Sequence, residues 1–125
     1  MALTTKDVKA QHPYTVSLSF SGIARYAIVE YVPDGTGWKT GKVIQADGNS
    51  ADAQADVYDL TALAAGERRL VTIGANMSSA TGDEDVSVTA RFTQAGEEVH
   101  SDTKKGRDSG DIVVLWSRTV FVGAA

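Results

Sequence analysis

Tyr14, Val16, Leu18 and Phe20 alternate with Thr15, Ser17 and Ser19. A period of two turns one face of a strand to an apolar interior and the other to water. Val86, Val88, Ala90 and Phe92 repeat the pattern against Ser87, Thr89, Arg91 and Thr93. Between these two segments the chain predicts strands over Ile23 to Val32, Trp38 to Gln45, Ala55 to Leu60 and Arg68 to Met77. Val71, Ile73 and Ala75 share one face of the last of these. A short strand is expected around Val99. The stretch Ile112 to Val122 is apolar on both faces, which predicts a central strand covered on both sides, with Trp116 in the core.

The punctuation agrees with this reading. Pro33-Asp34-Gly35 is a turn, because proline presets φ and glycine accepts a positive one. Gln94-Ala95-Gly96-Glu97 reads as a hairpin turn, and Ala46 to Asp52 and Ser101 to Gly110 read as polar loops. Gly41 weakens the middle of its strand. Thr61 to Gly66 has the cap and stop of a single helical turn. Residues 1–12 are polar and without period, which predicts a flexible or loosely docked lead-in. The result is seven or eight short strands with turns about every ten residues. That signature predicts an all-β, antiparallel two-sheet β-sandwich, jelly-roll or immunoglobulin-like, as a single domain over residues 13–125.

Composition narrows the chemistry. At 125 residues the chain is long enough to bury a core, and with 0 Cys it does so without disulfides, zinc ribbons or a thiol nucleophile. The formal net charge of −4 argues against a nucleic-acid surface. The N-terminus lacks the apolar segment of a signal peptide, and no apolar run approaches the ~20 residues of a membrane span. These features predict a soluble, cysteine-free protein and leave its compartment unknown.

Arg107-Asp108-Ser109-Gly110-Asp111 resembles the nucleophile loop of chymotrypsin-like proteases in its Asp-Ser-Gly core alone. A serine nucleophile needs a histidine held by a carboxylate. His12 and His100 are the two histidines available, and His12 falls in the lead-in. Asp-Ser-Gly is also an ordinary loop closure. The chain therefore predicts no enzyme.

Asp83, Glu84 and Asp85 are the candidate metal ligands, with calcium the cation that carboxylates on a loop would take. A second acidic loop, Asp47, Asn49 and Asp52, starts like a calcium-binding hand. It then places Ala51 and Tyr58 where further oxygens belong. Lys104, Lys105 and Arg107 form a basic cluster, which Asp102, Asp108 and Asp111 largely neutralise. Asn76-Met77-Ser78 satisfies the N-glycosylation pattern. Trp38, Tyr26 and Tyr31 are the candidate ligand-binding residues. The tyrosines lie on opposite faces of one strand, and outward aromatics offer large contact area at low entropy cost.

The sequence thus predicts a non-catalytic binding or assembly module. It would recognise a ligand or a protein partner, or associate with itself, through loops, outward aromatics or a sheet face. Carbohydrate and lipid are the alternative ligands. Leu63 with Gly66, a strand ending in Gly74, and Ser79 with Gly82 resemble the arrangement in aegerolysins, small lipid-binding sandwiches. That resemblance spans about 25 residues and implies a membrane-active, toxin-like alternative.

Overall fold

The structure, a computed structural model, describes residues 3–50 and 57–125. Nine strands form among them: β1 (Thr4–Lys9), β2 (Tyr14–Ser21), β3 (Ile23–Asp34), β4 (Gly37–Asn49), β5 (Val57–Leu60), β6 (Arg68–Ser78), β7 (Glu84–Gln94), β8 (Glu97–Asp108) and β9 (Val113–Ala124). They build a five-stranded sheet in the order β1-β9-β6-β3-β4 and a four-stranded sheet in the order β5-β2-β7-β8. Every neighbouring pair is antiparallel except β1 and β9, which run parallel. The protein is a two-sheet β-sandwich.

The alternating segments supply the core. Tyr14, Val16 and Leu18 of β2 and Val86, Val88, Ala90 and Phe92 of β7 point inward from the smaller sheet. Ala24, Tyr26 and Ile28 of β3 meet them from the larger sheet, with Val71, Ile73, Ala75 and Met77 of β6. Rings mark the two ends of this interior. Phe121 lies 4.7 Å from Phe92 and 5.3 Å from Tyr14, centroid to centroid, at one end. Tyr26 lies 5.4 Å from Phe20 at the other. Two tight turns form where the sequence places them. Gly35 has φ +61°, and Ala95-Gly96 has φ values of +54° and +79°, the signature of a two-residue turn matched to strand twist.

Several segments differ from expectation. Thr4–Lys9, inside the predicted lead-in, pairs with Thr119–Ala124 of β9. Val8 is its one buried apolar side chain, too little to give a period. The crossover that follows is held by Gln94, which accepts from the Lys9 amide at 2.7 Å and donates to the carbonyls of Lys9 and His12. β4 and β8 are longer than predicted and absorb much of the two polar loops. Both are sheet edges, where polar and charged side chains are compatible with a strand and discourage further pairing. Thr61 to Gly66 forms no helical turn; it is an irregular segment with Leu63 buried beneath it.

β9 is central, as predicted, but only half of it is covered on both faces. Trp116 is 50% exposed, not a core residue. The alternation in Val113–Arg118 sends Leu115 and Ser117 inward, where the Ser117 hydroxyl donates to Asp102 at 2.7 Å. Val114, Trp116 and Arg118 therefore point out.

Candidate interaction surface

The two outer faces of the sandwich differ in chemistry. The four-stranded sheet presents hydroxyls: Thr15, Ser17 and Ser19 on β2, Ser87, Thr89 and Thr93 on β7, Ser101 and Thr103 on β8. Thr89 and Thr103 share a hydroxyl–hydroxyl hydrogen bond of 2.8 Å, and Arg91 pairs with Glu98 at 2.8 Å. This is a surface that water satisfies.

The five-stranded sheet turns out apolar and aromatic groups instead. Cross-strand registers place Trp116, Gly74 and Ala27 in one row, and Val120, Leu70 and Tyr31 in another. Leu70 and Val120 are buried although they lie outside the inter-sheet core cluster, so their neighbours on this face cover them. Ile23, Val43, Val114 and Trp116 each leave half or more of their surface open on the same face. Three arginines stand among them. The Arg118 guanidinium lies 5.7 Å from the Trp116 ring and that of Arg68 5.3 Å from the Trp38 ring. Arg25 pairs with Asp47 at 3.5 Å across an open depression of about 390 Å³ beside Trp116.

Glycine shapes this face at one position. The Trp116 ring lies across Gly74, where an added Cβ would come within 2.5 Å of Cζ3. The indole therefore lies low over β6 and does not stand up from the sheet.

The predicted ligand residues divide between the two sides of the larger sheet. Tyr31 is half-buried on the outer face, and Trp38 sits half-buried on that face opposite Pro33. Tyr26 points inward at 3% exposure. Its ring fills the space a side chain at Gly48 would need, and its hydroxyl bonds that of Tyr58. The three aromatics thus do not form one cluster. Trp116, Val114, Val43 and Arg118 join Trp38 and Tyr31 on the outer face, and sequence reasoning missed them. Their signal was Arg118, in phase with Val114 and Trp116, which marks that phase as solvent-facing.

Two of the three predicted metal residues are engaged by an arginine. Asp83 and Asp85 close on Arg107, at 3.0 and 3.1 Å. Hydrogen bonds to Asp85 and then Asp83 hold the guanidinium above its ordinary pKa. Glu84 lies in register with Asp108 on the neighbouring strand. Among the described residues no three His, Asp or Glu side chains converge as a metal ligand set. In the second acidic loop, Asp47 is the partner of Arg25 and Asn49 ends β4, while Asp52 lies outside the described residues.

Asp108 works as a loop clamp. It accepts from the Gly110 amide at 3.0 Å and from the Ser79 amide and hydroxyl at 2.7 and 2.9 Å. Those bonds, the Gly110 amide first, hold its carboxyl below the usual range. Ser109 lies just past the end of β8 and His100 near its start, roughly 30 Å apart at ~3.3 Å per residue. The His100 ring stacks on Phe92 instead, with centroids 5.9 Å apart.

The fold and this surface define a β-sandwich with one hydroxyl-rich outer face and one that mixes exposed apolar and aromatic side chains with arginines. Compared with known proteins, the chain matches no family model, no curated protein and no solved structure. No helix among the described residues is long and apolar enough to cross a membrane.

Proposed function

We propose that the protein is a non-catalytic assembly module that pairs with a second copy of itself through the outer face of its five-stranded sheet. The observation that carries this reading is the set of half-open apolar side chains, Ile23, Val43, Val114 and Trp116, opposite a sheet whose outer face is mostly hydroxylic, with Val57 on its edge strand as the exposed apolar exception. A stable interface needs about 800 Å² from each partner. Four inter-strand spacings of ~4.8 Å by some twelve residues at ~3.3 Å, halved in length at the six-residue β1, give a face of roughly 670 Å², of the order of that requirement. Trp, Tyr and Arg are the residues that dominate interface energetics. The face carries both signs of charge, Arg25, Arg68 and Arg118 against Asp7 and Asp47, which suits an isologous contact in which each patch meets itself.

Sedimentation velocity tests it. The protein is expected to sediment as a dimer at about 10–100 μM, and V114E and W116E, at exposed positions, are expected to be monomeric with unchanged melting of the monomer. A wild-type protein that stays monomeric throughout that range retires the reading. Binding to liposomes in a sedimentation assay, lost in W116E, would favour the lipid-binding alternative instead.

A further inference from the structure

The inward face of β3 runs Ala24, Tyr26, Ile28 and then Glu30. Period two thus carries a carboxylate between the sheets, where Glu30 is 1% exposed. It accepts from the Thr61 amide at 2.8 Å and from the Thr61 hydroxyl at 2.5 Å. Among the described residues it has no ion-pair partner.

Arg69 stands two positions along β6 from Val71, the residue paired with Glu30, and is 9% exposed. One terminal nitrogen reaches Glu67 at 3.5 Å, and Nε has no hydrogen-bond partner. Lys42 stands opposite Glu30 on β4. Glu30, Arg69 and Lys42 line one cavity of about 200 Å³ with Val32, Gly41 and Thr61, while Glu67, the ion-pair partner of Arg69, is not among its lining residues. Gly41 keeps its wall thin, since a Cβ there would come within 2.9 Å of Val32 Cγ1.

A carboxylate and a guanidinium taken out of water are normally paired, because each is costly alone. Here Arg69 has one long contact, to Glu67 at 3.5 Å, and Glu30 has no cation among the described residues, while both face the same cavity. Diagonal neighbours on adjacent strands are ~7–8 Å apart, within reach of long side chains, yet Glu30 and Arg69 form no ion pair, which leaves their shared space to a bridging group. The bridge needs a cationic donor at one end and an acidic fork at the other. A carboxylate is the group that a guanidinium binds with two parallel bonds. The volume suits several waters or one small organic molecule, a water's share of the liquid being about 30 Å³.

We propose that this cavity binds a small zwitterion of the α-amino acid class, with its ammonium on Glu30 and its carboxylate on Arg69 and Lys42. The site lies between the sheets, so it stands or falls apart from the outer-face reading.

The test is an NMR titration of the isotope-labelled protein with glycine and with alanine. Acetate, methylammonium and glycinamide serve as single-ended probes. The amino acids are expected to give saturable shifts at the Thr61 amide and the Arg69 Nε–H, and each single-ended probe to bind at least about tenfold more weakly. E30Q, which keeps the side chain's shape, is expected to lose about tenfold or more in affinity. K42M, at the exposed mouth, is expected to lose several-fold and does not depend on core stability. No saturable shift up to about 10 mM amino acid would overturn the proposal, leaving water as the occupant. So would acetate binding as well as glycine, which would mean an anion site only. Undiminished affinity in K42M, or in a folded E30Q, would do the same.

Discussion

The indole of Trp116 rests on the bare backbone of Gly74, its cross-strand neighbour, so closely that a methyl group there would overlap the ring. A large aromatic on the outer face of β9 is thereby laid along the sheet, with half its surface still open. G74A is expected to lift the ring and to cost about 1–3 kcal/mol, the usual penalty of overpacking. Urea unfolding measures the cost. Trp fluorescence in a W38F background, shifted to the red, reports the ring's greater exposure.

Gln94 spans the passage from one sheet to the other. Its amide bonds the N–H and carbonyl of Lys9 and the carbonyl of His12. Q94A is expected to destabilise by roughly 1–3 kcal/mol, because it leaves part-buried backbone groups unpaired. Hydrogen exchange is expected to accelerate most at the Lys9 amide and along β1, whose single buried side chain offers little else to hold it.

Asp108 carries a pH dependence. Its carboxyl is depressed in the fold, so the folded state binds its proton less readily than the unfolded chain does. Its stabilisation is therefore present above the ordinary carboxylate pKa, about 3.9, and is lost as pH falls through the lower folded value. The gap in urea midpoint between wild type and D108N is expected to be full at pH 7 and to shrink below about pH 4. A gap of equal size at pH 2.5 would mean that the clamp does not depend on charge.

His100 acts in the same direction at higher pH. Burial against Phe92, then the charge of Lys6, lowers its pKa from the ordinary 6.5, outweighing Asp102 and Glu98. The unfolded chain takes up this proton first as pH falls. His100 therefore withdraws stability below about 6.5 until its own folded pKa is passed. The ring Cε1–H resonance is expected to titrate below 6.5 in the folded protein. A midpoint above 6.5 would contradict the packing described.

The legible part of the fold was the part with one wet and one dry face. β2 and β7 are inner strands of the smaller sheet, so their alternation is complete, and their boundaries fall within two residues of the predicted ones. Turns at Pro33–Gly35 and Gln94–Glu97 were equally plain, since positive φ selects for particular residues. β1 and the second half of β8 were illegible because an edge strand buries little and tolerates charge. The candidate surface was half legible. Trp38 and Tyr31 could be named as outward aromatics, but Trp116 read as core because its neighbours Ile112–Leu115 are all apolar. Glu30 lies in phase with Tyr26, so its inward direction is implicit in the alternation.

By itself the sequence determined the class of the protein. Alternation at period two, turn residues at regular spacing and the absence of cysteine leave a β-sandwich held by apolar packing as the consistent outcome. Local patterning can do this because each strand's two faces are set by its own residues. Only the tertiary structure decided which sheet keeps an apolar outer face and which buried charges share a cavity. Glu30 and Arg69 are 39 positions apart in the chain and face one another's space only because β3 pairs with β6. That pairing depends on the total burial of both sheets, a property no single segment carries.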